Sequence, residues 1–345
     1  TRLSAKFDII PLFNGKITIS SVQLFGFNIN LNKPAPHMEP NFKFVLDAFA
    51  SKDTVKTKKD IDLRINSILI RRGKLSYDVL SEEETPGKFN PQHIKLHNII
   101  ANISLKALQN DSINAAIKRL SVDEQSGFEL RKLSLKVIAN NKGMKIENFA
   151  IEMPGTEMKM DTIRMEYDSL KALNHFADNV RFSFRTLPSH VTLNDISAFV
   201  PALSNFKEKL DLNIDVEGTL NQLNCRTLEI NAGDKFRLKG DVSLQDLSRP
   251  QDAYVYGHLA NLSANKEGIG FLVRNLSPHY NGVPPVLQHL GNTSFHGEIS
   301  GYFTDLVMYG LFRTDIGSVQ TDLKLSSDKA KALFSYSGGV KTTDF

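Results

Sequence analysis

The sequence predicts a mainly β protein, and three observations carry that expectation. Apolar residues recur at every second position through most of the 345 residues, helical spacing is confined to a few short stretches, and a glycine-bearing strand pattern returns at an offset of 83 residues. Alternation of period two puts apolar side chains on one face of a strand and polar ones on the other. A chain built this way is expected to form an antiparallel sheet from repeating units, with short helices between them.

Taken in order, the first strand signal is 16–31, where Ile17 and Ile19 share a face and Val22 and Leu24 resume it after the pair Ser20-Ser21. A one-residue slip of this kind reads as a β-bulge. Alternation returns at Ile61, Leu63 and Ile65, at Leu75, Tyr77 and Val79, at Ile99 to Leu105, and at Leu133, Leu135 and Val137. It continues through Met158 and Met160, through Val180, Phe182 and Phe184, through Leu212, Ile214 and Val216, and through Val319 to Leu325. Polar loops at 32–41, 51–60 and 81–91 separate the strand groups; Lys52, Lys56, Lys58 and Lys59, diluted by aspartates, read as a solvated loop.

Helical spacing is clearest in Ile196, Phe199, Val200, Leu203 and Phe206 behind Asp195 as a cap, with a kink expected at Pro201. A second helix is expected from about Ser263, with Ile269, Leu272, Val273 and Leu276 on one face, weakened by Gly268 and Gly270. A third, short one runs from Pro284-Pro285 to Gly291, proline first and glycine last. The repeat aligns DVEGTLNQL (215–223) with EISGYFTDL (298–306), so Gly218 and Gly301 fall at matched strand positions that suit curling or close backbone approach. It divides the chain into a first β segment over 1–170 and two repeat units over 171–262 and 263–345.

Composition narrows the function. With 42 Lys and Arg against 38 Asp and Glu, the net charge is +4, and charge signs alternate along the chain, so no nucleic-acid partner is expected. The one cysteine, Cys225, permits no intramolecular disulfide and no cysteine-based zinc site, and reads as a small packed residue. No apolar run is long enough to span a bilayer, and the first residues lack the order of a signal peptide.

Little in the sequence points to catalysis. It contains no G-x-S-x-G elbow, Walker loop or H-E-x-x-H, and Gly268-Ile269-Gly270 is a dinucleotide fingerprint without its third glycine. His93 and His97 stand four apart in a strand-like run, which separates them by about 13 Å and argues against a shared metal. Glu82, Glu83 and Glu84 lie in a loop bounded by Pro86 and Gly87 and read as a solvated turn. A non-enzymatic protein without cofactor or metal is the expectation. What stands out is an apolar strand face too large for the few helices to cover. It either packs as a closed sandwich or stays open to something apolar; alternation alone fits both. An adhesive or carbohydrate-active solenoid fits poorly, because Trp is absent and the repeat is long.

The stretches FDIIPLFNGKITISSVQLFGFNINL (7–31), IDLRINSILIRRGKLSYD (61–78), LSVDEQSGFELRKLSL (120–135), PPVLQHLG (284–291) and GYFTDLVMYGLFRTDIG (301–317) resemble the AsmA-like superfamily, specifically the TamB-type translocation and assembly proteins. The resemblance implies an elongated, taco-like β-groove in the periplasm of a Gram-negative envelope. It implies an inner-membrane anchor in an N-terminal segment outside this chain, and conduction of phospholipids toward the outer membrane. It also implies a link to outer-membrane β-barrel assembly with a BamA-like partner met through a region absent here, which leaves an assembly scaffold acting through exposed sheet edges as the alternative function. Combined with the alternation, it designates Ile17, Ile19, Val22, Leu24, Leu212, Ile214, Val216, Phe236, Leu238, Ile299 and Phe303 as groove-facing positions for phospholipid acyl chains.

Overall fold

The computed structural model describes residues 1–8, 16–44, 47, 62–109, 112–249, 251–276, 288–302, 305–328 and 333–344. Strands take up 63% of the protein and helices 10%, so it is mainly β. The chain forms two compact units, one of Thr1–Asn140, Met144–Glu157 and Leu193–Ser204, the other of Asn141–Gly143, Met158–Thr192 and Asn205–Phe345.

The first unit is built on β1 (Arg2–Asp8), β2 (Lys16–Phe25), β3 (Asn28–Lys33), β4 (Asp62–Val79), β5 (His93–Gln109), β6 (Ser112–Glu124), β7 (Glu129–Ala139) and β8 (Gly143–Glu152). Strands β4 to β8 follow one another as antiparallel neighbours, and β1 pairs with β2. The expectation of a purely antiparallel sheet is corrected here: β2 and then β3 run parallel to the single long strand β4, so the sheet is mixed. A parallel pair cannot be closed by a tight hairpin, and β3 and β4 are separated in the chain by residues 34–61. Between β2 and β3 the chain turns at Gly26 (φ 61°) and sets the ring of Phe27 over Gly73, where any Cβ would collide with it. The slip expected at the serine pair is present, with Ser20 skipped in the β1–β2 register and its hydroxyl on Asp8.

The second unit holds β9 (Glu157–Met160), β10 (Ile163–Glu166), the four-residue helix α1 (Phe176–Asn179), β11 (Arg181–Arg185), β12 (Ser189–Val191), β13 (Leu210–Thr219), β14 (Gln222–Ala232), β15 (Phe236–Gln245) and β16 (Tyr254–Ala264). Helix α2 (Lys266–Leu276) follows, then β17 (Thr293–Tyr302), β18 (Asp305–Thr314), β19 (Gly317–Asp328) and β20 (Leu333–Asp344). From β13 to β20 each strand pairs antiparallel with the next, and β11 and β12 lie in succession along β13. Most of the expected second and third segments falls within this one unit, because β16 and β17 hydrogen-bond to each other across the intervening helix.

The helix expected over 196–206 is replaced by two 3-10 turns, Leu193–Ile196 and Pro201–Leu203. Proline excludes its predecessor from the helical region, and Val200 sits accordingly at φ −128°, ψ 84°. Phe199 is instead drawn against Phe89 and Phe128, with ring centroids 4.8 and 4.9 Å away. The second expected helix is α2, which starts at Lys266 because Ser263 and Ala264 remain in β16. The Asn265 side chain caps it by accepting from Gly268 N–H at 2.9 Å, and Ile269 and Phe271 are buried. The third expected helix, from Pro284, lies largely outside the described residues, as do Lys52, Lys56, Lys58 and Lys59.

The repeat glycines act where the backbones come closest. Gly218 (φ 139°) and Gly301 (φ 129°) are the penultimate residues of β13 and β17, beside the hairpin turns and not in mid-strand. A Cβ on either would lie deep inside contact distance of a carbonyl oxygen across the hairpin, that of Gln222 or of Asp305. Close backbone approach is therefore the reason for both.

Candidate functional site

Residues directly opposite in a sheet place their side chains on the same face, so the register shows how far each apolar face extends. In the second unit one row runs Val216, Cys225, Val242, Gly257, Ile299, Met308 and Leu323 across β13 to β19. The row toward one strand end is Leu212, Ile230, Leu238, Leu262, Phe295, Phe312 and Val319. Between them Ile214 faces Leu228, and at the far end Phe182 faces Gly218 and then Leu223, Leu244 and Val255. Seven strand spacings of ~4.8 Å carry this unit about 34 Å across β13–β20 along the sheet.

Short elements close the two ends of this face. At one end Phe206 meets Phe271 of α2 edge-on at 5.8 Å. At the other, Phe176 of α1 stacks on Phe182 at 6.0 Å and Phe182 on Phe184 at 6.4 Å. Between the ends, Val216, Cys225, Val242 and Val255 are buried, whereas Leu212, Ile214, Leu238 and Ile299 are only half-buried. Ile214 and Ile299 pack against that buried cluster, and Phe295 on the same face is buried too, so the face is covered along part of its extent and only partly at Leu212, Ile214, Leu238 and Ile299.

The opposite face is charged. Arg185 pairs with Asp215 at 2.7 Å, Glu217 takes both Arg181 and Arg226, and Glu229 accepts from Lys239 at 2.7 Å and Asn213 at 2.9 Å. Lys239, then Asn213, hold the Glu229 carboxyl below its ordinary range. These cross-strand pairs keep the polar face in water and leave the apolar face as the one requiring cover.

The first unit repeats the pattern. Val22, Ile68, Ile103, Ile117 and Leu135 form one row, and Leu24, Ile70, Ala101, Leu120, Leu133 and Ile151 the next. Ile19 joins Ile65, Leu105, Ala115, Val137 and Ile146. The structure thus gathers Ile19, Val22 and Leu24 on the apolar face of one unit, and Leu212, Ile214, Val216, Phe236, Leu238 and Ile299 on that of the other. Phe303 and the side chain of Ile17 lie outside the described residues.

Sequence reasoning passed over Val242, Val255 and Leu259, all buried on the second face. The alternation was visible in YVYGHLA, but its larger side chains are the outward ones: Tyr256 is 46% exposed while Val255 is 6%. The pairing of Val255 with Leu244 and Gly301 sets which side faces the apolar rows.

Burial pushes the Cys225 thiol up from its ordinary pKa, and its Sγ donates to the Thr227 carbonyl at 3.0 Å. His93 and His97, both on β5, have separate partners, Asp78 at 3.1 Å and Asp123 at 3.8 Å. Among the described residues one group, Asp78, Glu84 and His93, brings three metal-ligating side chains within 4.8 Å of one another. No helix among them is long and apolar enough to cross a membrane. Comparison with known protein families, with curated proteins and with solved structures finds no match for this chain.

Proposed function

We propose that this chain is a non-enzymatic segment of a lipid-handling envelope protein whose apolar sheet faces bind phospholipid acyl chains and let them move along the sheet. The observation that carries this reading is the unbroken succession of apolar rows, half-buried and backed by a charged face, in each unit. Conduction needs no reacting group. It needs a continuous surface on which each methylene, worth about 0.8 kcal/mol, stays out of water while the headgroup remains in it. The resemblance to TamB-type proteins of the AsmA-like superfamily supports the same reading and, with it, a periplasmic location, an inner-membrane anchor outside this chain, and transfer between the two membranes.

The test is native mass spectrometry with lipid extraction on protein purified from a bacterial host. Co-purifying phospholipid, lost in Ile214→Asp/Ile299→Asp, is the expected result. A lipid-free, monodisperse wild type would favour scaffolding by sheet edges instead. Strands β1 and β20, each pairing with a single strand among the described residues, would then be the surfaces for adding a client strand.

A further inference from the structure

We propose that Asp78, His93 and Glu84 form a divalent transition-metal site, of the zinc type, that ties the acidic loop after β4 to the start of β5. Asp78 closes β4, His93 opens β5, and the two are direct cross-strand partners. His93 is 5% exposed, so its contacts are built into the fold. Its Nε2 lies 3.0 Å from the Glu82 carbonyl oxygen and its Nδ1 3.1 Å from Asp78 Oδ1. Both partners only accept, and a neutral imidazole has one N–H to give, so one of the two contacts takes either a second proton or a metal ion.

A proton satisfies that one contact without drawing in another group; a metal ion would draw in a third ligand as well. Glu84 brings a carboxylate oxygen within 4.8 Å of both atoms. Ligands held about 2.0–2.2 Å from zinc in tetrahedral geometry stand roughly 3.3–3.5 Å apart, close to the His93–Asp78 separation. The carbonyl on Nε2 is the outer contact that orients a metal-bound histidine. Glu84 is exposed and paired with Lys95 at 2.7 Å, so it can turn inward and give up that partner. One imidazole nitrogen and two carboxylates suit zinc, with solvent in the fourth position. Because the same loop carries Phe89, which packs on Phe199, an ion here would fasten the loop at both ends.

The test is calorimetric titration of zinc chloride into the tag-free, chelator-treated chain, with cobalt absorption reading the coordination. One equivalent of zinc should bind, with loss of binding in His93→Gln and a weakening of about tenfold or more in Glu84→Gln. Glu84 is on the surface, so its variant carries the test even where His93→Gln unfolds. Absence of binding by the wild type, or unchanged affinity in Glu84→Gln, overturns the proposal.

Discussion

Replacing Ile214 and Ile299 by aspartate separates an open face from a closed core. The two residues lie on adjacent rows of the second unit, Ile214 opposite Leu228 and Ile299 opposite Met308, and both are half-buried. Complete burial of an isoleucine is worth about 1.5–3 kcal/mol, and both side chains keep most of that burial, so the apolar loss is roughly 1–2.5 kcal/mol per site. On an open face the new carboxylates reach water and add little. The double variant should then melt about 4–20 °C below wild type, at roughly 2–4 °C per kcal/mol for a unit of this size. Bound lipid responds far more strongly. A crossing chain with about four methylenes over each row would lose about 3 kcal/mol per row, so disrupting both rows costs about 6 kcal/mol, or more than a thousandfold in occupancy. Thermal melting followed by circular dichroism, with lipid quantified by extraction, reads both numbers. Retention of lipid at wild-type stoichiometry refutes the site; loss of the folded state refutes the open face, because an unpaired charge in a closed core exceeds 4 kcal/mol per site.

Gly301→Val, at φ 129° and facing the Asp305 carbonyl, should lose at least about 2 kcal/mol in urea unfolding, whereas Gly339→Ala, with open space around it, should stay within about 0.5 kcal/mol; equal effects would sink the close-approach argument. The Glu147 carboxyl, held by Lys136 and then Lys145 at 2.7 and 2.6 Å, should titrate at about 2 by NMR, and Lys136→Ala should move it back toward 4.5. Because its folded pKa is depressed, its contribution to stability is present above the unfolded value and lost as pH falls from about 4.5 to about 2. Cys225, buried and pushed up by that burial, should resist thiol reagents in native protein at pH 8 and react at once in denaturant; native labelling at the rate of a free thiol would place it on an accessible surface.

Much of the fold was legible locally because a strand writes its facing into its own sequence. The alternation of Leu212, Ile214 and Val216, the slip at Ser20, and the glycines at 218 and 301 each answer to a constraint within a few residues. Helix failed at 196–206, where Pro201 and the rings of Phe89 and Phe128 outweighed the spacing.

The sequence by itself determined that this protein is sheet, which side of most strands is apolar, and that an apolar surface exceeds what its helices cover. Only the tertiary structure decided which strands are neighbours, including the parallel seating of β2 and β3 on β4, and hence that separate apolar runs join into continuous rows. It also brought Asp78 and Glu84 to His93, residues whose separation in the chain gave no sign of a shared site. The physical reason is the same in each case. Period and propensity act over a few residues, whereas strand partners are chosen by what the whole sheet buries.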